Sequence, residues 1–358
     1  MAAAKSVLPA SLKLTELKRL ALLCGLPNSG TKADLTERIG HAAANMGVHR
    51  GGVRASDRRI LSIDLGLRNL GYGLMTPASK PKSTAQEADP HAPPPINLHA
   101  WTRTDLVTPL SSTPASEMTE EEKLKEKQKQ GEAFTPAALS KVAVKLVQHT
   151  LLPLNPTHVL IERQRFRSGN AAPVQEWTLR VNTLEAMIYA AFRTLRECGL
   201  WEGQIVPVPP KRVGPFWLDG AVGISLGKVE VAESDDFDDD DDEAAEQASK
   251  KRAARLAKLN MKKEKIAILG HWLEDGDVVF PQNQSVESIV ETYLDHWKRA
   301  PGTRKKTTKR DGLSGDEEAI KKIDDLADCV LQGMAWMKWE ENREFLKSSA
   351  SVKKLLDD

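Results

Sequence analysis

Between Arg58 and Gly73 the chain reads RRILSIDLGLRNLGYG. Ile60, Leu61, Ile63 and Leu65 favour sheet, and a short continuous apolar run of this kind marks a buried strand. Asp64 stands in the middle of that run. An ionised carboxylate held away from water is strongly unfavourable unless a positive charge meets it. The chain must therefore fold so that a cation reaches Asp64, and this demand constrains the architecture more than any other feature.

Other acids share the predicament. Glu162 ends a second apolar run, HVLIE, and the segment IKKIDDLADCVLQGMAW carries Asp324, Asp325 and Asp328 close together. The apolar residues of that segment, Ile320, Ile323, Ala327, Val330, Leu331 and Met334, fall at helical spacing. Taken singly, such acids make surface salt bridges or caps. Brought together beside apolar faces, they repel one another unless cations lie between them. Hard oxygen ligands in that number suit Mg2+ or Mn2+ rather than zinc. Two such ions about 4 Å apart suit the hydrolysis of a phosphodiester. At about 100° per residue, Asp324 and Asp328 lie one above the other along an edge of the apolar face, and Asp325 points farther toward solvent. The expected metal ligands are Asp64, Glu162, Asp324 and Asp328, with Asp325 a further catalytic candidate and the alternative to Asp324 as the partner of Asp328.

Composition narrows the class. The three cysteines, Cys24, Cys198 and Cys329, are far apart and odd in number, which suggests buried free thiols in a reducing compartment. The eight histidines show no HxxxH or similar ligand spacing, so zinc is not expected. No apolar run approaches the roughly 18 residues of a membrane helix. The formal net charge of +1 conceals a segregation: eleven acidic residues and no basic one lie between Glu230 and Glu246, so the remainder carries +12. A basic body with one acidic tract favours a polyanionic partner.

Along the chain, apolar patterning predicts the order βββαβαβα. Strands are expected near ILSID, GYGLM, INLHAW, HVLIE and QIVPV, and helices from TPAALSKVAVKLV, VQEWTLRVNTLEAMIYAAFRTLRE and the segment from Ala319 to about Trp339. Ahead of them LKLTELKRLALLCGLPNSGTKADLTERIGHA reads as two helices, the first closed by Gly25. The resulting division is a helical module at 1–46, a glycine-rich basic linker at 47–57 and an α/β domain at 58–350. Insertions near 76–95, 111–133 and 230–250 are too polar or too acidic to pack and are expected to be disordered. A basic helix following the acidic tract either extends a DNA-binding surface or neutralises the acids.

The segment RQRFRSG follows Glu162 directly. Arg163, Arg165 and Arg167 are suited to gripping phosphates, and Gln164 or Phe166 to reaching a base edge or an unstacked base; strand alternation would instead send Phe166 into the core. Lys321 and Lys322 either hold the scissile phosphate or complement the neighbouring acids. Gly25-x4-Gly30-Thr31-Lys32 falls short of a phosphate-binding loop, since Thr and Lys are reversed and no strand precedes it.

The order of SIDLGLRNLGYG, IERQRFRSG and KKIDDLAD resembles the fungal mitochondrial Holliday-junction resolvases, members of the RNase H-like nuclease and integrase superfamily. The segment LTELKRLALLCGLPNSGTKADLTERI resembles a SAP motif. The resemblance implies an RNase H-like mixed five-stranded sheet flanked by helices, plus a small N-terminal SAP-like domain. It further implies two Mg2+ (or Mn2+) ions per active site, four-way junction DNA as substrate, and a homodimer making paired nicks that leave 5′-phosphates. A mitochondrial location follows from the family; residues 1–15 contain only Lys5 and Lys13 as charges and do not read as a transit peptide. In the SAP-like segment the implied phosphate contacts are Lys18, Arg19, Lys32 and Arg38. Two rivals stand beside this reading. One is a non-catalytic junction-binding scaffold. The other is an actin-like or sugar-kinase-type phosphotransferase, which also begins at IDLG but needs a second glycine-rich phosphate loop that the sequence lacks. No nucleotide cofactor and no membrane partner are expected.

Overall fold

The computed structural model describes residues 8–9, 11–44, 53–79, 91–107, 132–164, 176–218, 260–298 and 315–356, with side chains left out at 315–322. The acidic tract, most of the expected insertions and the segment 165–175 lie outside the described residues.

Every strand expected from the apolar runs is present. β1 (Ile60–Asp64), β2 (Leu70–Pro77) and β3 (Ile96–Thr104) form an antiparallel meander. β4 (His158–Glu162) pairs parallel with β1, and β5 (Gln204–Val208) pairs parallel with β4. The sheet has six strands rather than the expected five. β6 (Val279–Pro281) joins the outer edge of β3 in parallel, giving the order β5-β4-β1-β2-β3-β6. A strand of three residues shows no periodicity, and its proline is tolerated only because it lies on a sheet edge.

Alternation along the strands divides the core into two layers. Leu61 and Ile63 of β1, with Val159 and Ile161 of β4, pack under α3 (Pro136–Leu146) and α4 (Glu176–Glu197). Pro136 stands at the first position of α3, and the Thr135 hydroxyl caps that helix by accepting the Ala138 N–H at 3.3 Å. The opposite face, carrying Ile60, Met75, Leu98 and Leu160, packs under α8 (Gly315–Glu344), which crosses β1, β2 and β3. Its layer also contains α5 (Pro210–Leu218), α6 (260–275) and α7 (Gln284–Lys298), and α9 (Ser349–Leu356) closes the chain.

The N-terminal helices α1 (Leu14–Leu23) and α2 (Lys32–Ala44) belong to this second layer too, with Leu17, Leu20, Leu35 and Ile39 in the same apolar cluster as α8. Gly25 ends α1 with φ +65°, and a β-carbon there would stand 2.2 Å from the Trp339 ring. The residue is glycine both for its backbone and for this close approach. Asn342 and Arg343 donate side-chain hydrogen bonds to the carbonyls of Leu23 and Cys24 at 2.8 and 3.0 Å, satisfying the end of α1 from within α8. Cys24 and Cys329 are buried free thiols as expected, whereas Cys198 is exposed.

Candidate active site

The pairing of β1 with β4 fixes the first two acids. Ile63 is opposite Ile161, so the next residues on each strand, Asp64 and Glu162, lie side by side at adjacent strand ends. Asp64 is two residues beyond Ser62, whose hydroxyl accepts a 3.0 Å hydrogen bond from Gln332 of α8. It therefore points to the α8 side of the sheet. One turn earlier on α8 than Gln332 stands Asp328.

These groups sense one another. Burial pushes the Asp64 carboxyl well above the ordinary carboxylate range. A hydrogen bond shared with Glu162 adds to the rise, and the charges of Glu162, Asp328 and, least, Asp325 press it higher. Asp328 is pushed up to about 6 by burial, with Lys265 opposing the rise and Asp324 and Glu162 adding to it. Neither group is sealed off: Asp64 is half-buried, and the Asp328 side chain keeps 28% exposure. The cluster thus holds excess negative charge in a place that solvent, and an ion, can reach.

Asp324 and Asp325 flank Asp328 in different settings. Asp324 is buried, and it pairs with Lys262 of α6. Its Oδ1 is buried without a hydrogen-bond partner and lies 3.9 Å from Lys265 Nζ. Lys265 in turn pairs with Asp328. Asp325 faces β3, where the Arg103 Nε donates to its Oδ2 at 2.9 Å, and Arg103 also holds Asn69. Against the expectation from helical periodicity, Asp328 at 28% side-chain exposure is more open than Asp325 at 20%; only the burial of Asp324, at 4%, follows it. Its cause lies outside the helix, since α6 covers Asp324.

The donor set fits a divalent cation. The acids gathered there outnumber the three cations they meet, and the buried Asp324 Oδ1 has no hydrogen-bond partner. Among the described residues no three of these acids yet converge on one point at ligating distance. The lysines of α6 draw Asp324 and Asp328 instead.

Arg163 and Gln164, the first two residues past Glu162, line a cleft of about 1080 Å³ between α4, the β5–α5 loop and the α1–α2 turn. The Gln164 N–H donates to Glu185 Oε2 at 3.2 Å. Lys211 and Arg212 line the same cleft, and Arg212 also donates to the Gly25 carbonyl at 2.8 Å. Arg165, Phe166 and Arg167 lie outside the described residues, and Lys321 and Lys322 fall on α8 where side chains are not described. In the N-terminal helices Lys18 and Lys32 are exposed. Arg38 instead holds the α1–α2 turn, donating to the carbonyls of Pro27 and, at 3.0 Å, Ser29, and Arg19 is half-buried.

Sequence reasoning missed Lys262, Lys265 and Arg103. The basic helix expected after the acidic tract contains Lys262 and Lys265, but its own sequence does not say which acids it meets, and Arg103 carries no local mark, because each meets its acid across the fold.

A meander of three antiparallel strands leading into parallel ones, with carboxylates at the ends of the adjacent strands β1 and β4 and on the helix above them, defines an α/β protein of the RNase H-like class. Within that class the chain belongs to the family described as mitochondrial resolvase Ydc2 / RNA splicing MRS1, which it matches over residues 60–346. It is 29% identical over 187 residues to the mitochondrial cruciform cutting endonuclease 1 of Schizosaccharomyces pombe, covering 51% of this chain and 55% of that protein. The match thus spans little more than half the length of that curated relative. The crystal structure of the yeast mitochondrial Holliday junction resolvase Ydc2 matches with a TM-score of 0.50 and 21% identity, over 94% of this chain and 96% of that one. This agreement concerns the fold.

Proposed function

We propose that the chain is a structure-selective endonuclease that resolves four-way DNA junctions by metal-dependent hydrolysis, acting in mitochondria as its relatives' names describe. The observation that carries the reading is the Asp64–Glu162 pair, two carboxyls sharing a hydrogen bond at adjacent strand ends with Asp328 beside them. Carboxyls packed this closely must share a proton or hold a cation, and perturbed carboxyls of this kind cluster at functional sites. Asp64, Glu162, Asp324 and Asp328 are the proposed ligands of two Mg2+ or Mn2+ ions. When bound, the ions supply an activated water and neutralise the leaving oxygen of the phosphodiester. Asp325, neutralised by Arg103, keeps that side of the site from adding a further free charge.

The chain's own groups bind and orient the strand. Arg163, Lys211 and Arg212 give the cleft beside Glu162 a cationic wall suited to a DNA backbone. Arg165 and Arg167 continue the same segment and are proposed to grip phosphates, with Gln164 or Phe166 against a base edge or an unstacked base and Lys321 and Lys322 near the scissile phosphate. Residues 1–46 are proposed as the SAP-like DNA-binding module, with Lys18 and Lys32 as its free phosphate-binding groups. Cutting two opposed strands of one junction needs two sites, so a symmetric dimer is proposed.

The family description also covers an RNA splicing protein, which keeps binding without cutting as the rival. The complete acid set favours cutting. The test is cleavage of a four-way junction against a linear duplex of the same arms, with and without Mg2+. Junction-selective nicking that EDTA abolishes is expected, and tight junction binding with no cleavage at any Mg2+ or Mn2+ concentration would establish the scaffold instead.

A further inference from the structure

The helix that covers the carboxylates supplies two lysines that the reaction derived above does not use. Lys262 and Lys265 are three apart on α6 and share a face, while Asp324 and Asp328 are four apart on α8 and share the facing edge. Lys262 pairs with Asp324 and Lys265 with Asp328, and Lys265 Nζ also lies 3.9 Å from Asp324 Oδ1. The Lys265 side chain is only 15% exposed. Burial alone lowers a lysine's affinity for its proton, but the carboxylates of Asp328, Asp324 and Asp64 outweigh that effect and keep the ammonium charged. Lys265 thus stands where three of the proposed ligands direct their charge.

Charge balance gives the pairing a consequence. Asp64, Glu162, Asp324, Asp325 and Asp328 meet three fixed cations, Lys262, Lys265 and Arg103. With all five acids ionised, two negative charges remain, the charge of one divalent ion. With both ammonium groups withdrawn, four remain, the charge of two. An ammonium and a second divalent ion compete for the same oxygens. A phosphodiester entering the site offers the lysines another anion within hydrogen-bonding reach.

We propose that Lys262 and Lys265 occupy the α8 carboxylates in place of the second metal ion, and transfer to the DNA phosphate as substrate enters, so that the second ion loads only with DNA. The two lysines are positioning residues that act through Asp324 and Asp328. The inference rests on the metal-dependent nuclease reading of the same site.

The test is the number of Mn2+ ions bound by the full chain without DNA, read from the paramagnetic resonance signal of free Mn2+ at about pH 8, above the ordinary carboxylate range, with any proton shared by Asp64 and Glu162 released as the ion binds. The wild type is expected to take up one ion at the cluster, and the Lys262→Met/Lys265→Met variant two, the second at least about tenfold more tightly than in wild type. Lys265→Arg keeps the charge and is expected to leave the ion count at one. Two ions of equal affinity in wild type and double variant overturn the proposal, and so does one ion in both. Uptake by neither, with Asp64→Asn indistinguishable from wild type, removes the metal reading itself. Junction cleavage gives a second readout. The double variant should need about tenfold less Mg2+ for half-maximal rate yet cut more slowly at saturation, because the phosphate no longer meets its lysines. A merely structural role predicts an unchanged or higher Mg2+ requirement, and that result counts against the proposal. If the double variant does not fold, Lys262→Met, at the more exposed of the two side chains, carries both measurements.

Discussion

Gly71 on β2 lies against the backbone of Asp325 on α8: a β-carbon at position 71 would stand 2.6 Å from the Asp325 carbonyl oxygen. Gly71 is also the ladder partner of Asp64. The missing side chain therefore lets α8 settle directly over the strand pair that carries the first acid, and this close approach sets the spacing between the acids of sheet and helix. A backbone oxygen cannot rotate out of the way as a side chain would. Gly71→Ala should lift α8 and cost about 1–3 kcal/mol of stability. Cleavage should fall further than junction affinity. A melting temperature and cleavage rate both equal to wild type would show that the helix position tolerates the methyl group.

Asp64→Asn preserves the shape of the side chain and removes its charge. It should abolish cleavage while junction binding, supplied by the basic groups, persists. In EDTA above the carboxylate range the variant should melt at a higher temperature than wild type, because the carboxyl whose ionisation burial and Glu162 oppose is gone. Retained nicking at saturating Mg2+ would remove Asp64 from the ligand set.

Stability of the metal-free protein should depend on pH in a defined direction. The folded pKa of Asp328 is raised from 3.8 to about 6, and that of Asp64 is raised as well. The folded state therefore binds more protons than the unfolded chain across that window, so stability falls as pH rises through it. The fall should begin near the ordinary carboxylate range and continue past pH 6, since Asp64 is shifted in the same sense. Saturating Mg2+ should suppress it, because bound cations keep the carboxylates deprotonated. Denaturant melts at several pH values, with and without Mg2+, check the sign.

The three clustered aspartates should separate by their partners. Asp328→Asn and Asp324→Asn are each expected to remove cleavage. Asp325→Asn should leave a measurable fraction, since its carboxylate is already committed to Arg103 at 2.9 Å. Single-substitution rates across a Mg2+ titration decide this. A dead Asp325→Asn beside an active Asp324→Asn would make the acids three apart, 325 and 328, the ligands from α8.

Lys18→Glu with Lys32→Glu should weaken junction binding and flatten its salt dependence. The log–log slope should drop by about 0.9 for each phosphate that the protein no longer neutralises. Cleavage at saturating enzyme should change much less. Point variants serve better than deletion of residues 1–46, because removing α1 would uncover Trp339 and leave the Asn342 and Arg343 hydrogen bonds unmade. An unchanged salt slope would mean that α1 and α2 meet something other than DNA.

Much of the fold was legible in the chain. ILSID and HVLIE became β1 and β4 with the expected ends, because a buried strand needs a local run of apolar residues and little else. α8 was legible over most of its length for the same reason. α7 was missed although Val286, Val290 and Tyr293 recur at helical spacing and are its buried residues. Its surroundings are rich in charge and proline, and no element was expected there. β6 left no periodic trace in three residues.

What the sequence determined by itself is the set of elements and the acids they carry, since apolar periodicity is a local property and strand ends follow from it. What only the tertiary structure decided is which charges meet. Lys262 and Asp324 are 62 residues apart, and Arg103 and Asp325 are 222 apart; no pattern within either neighbourhood specifies the other. Helical periodicity put Asp324 on the buried side of α8. It took α6, packing against α8, to cover that aspartate with lysines, because the burial of a helix edge depends on the neighbour that packs against it.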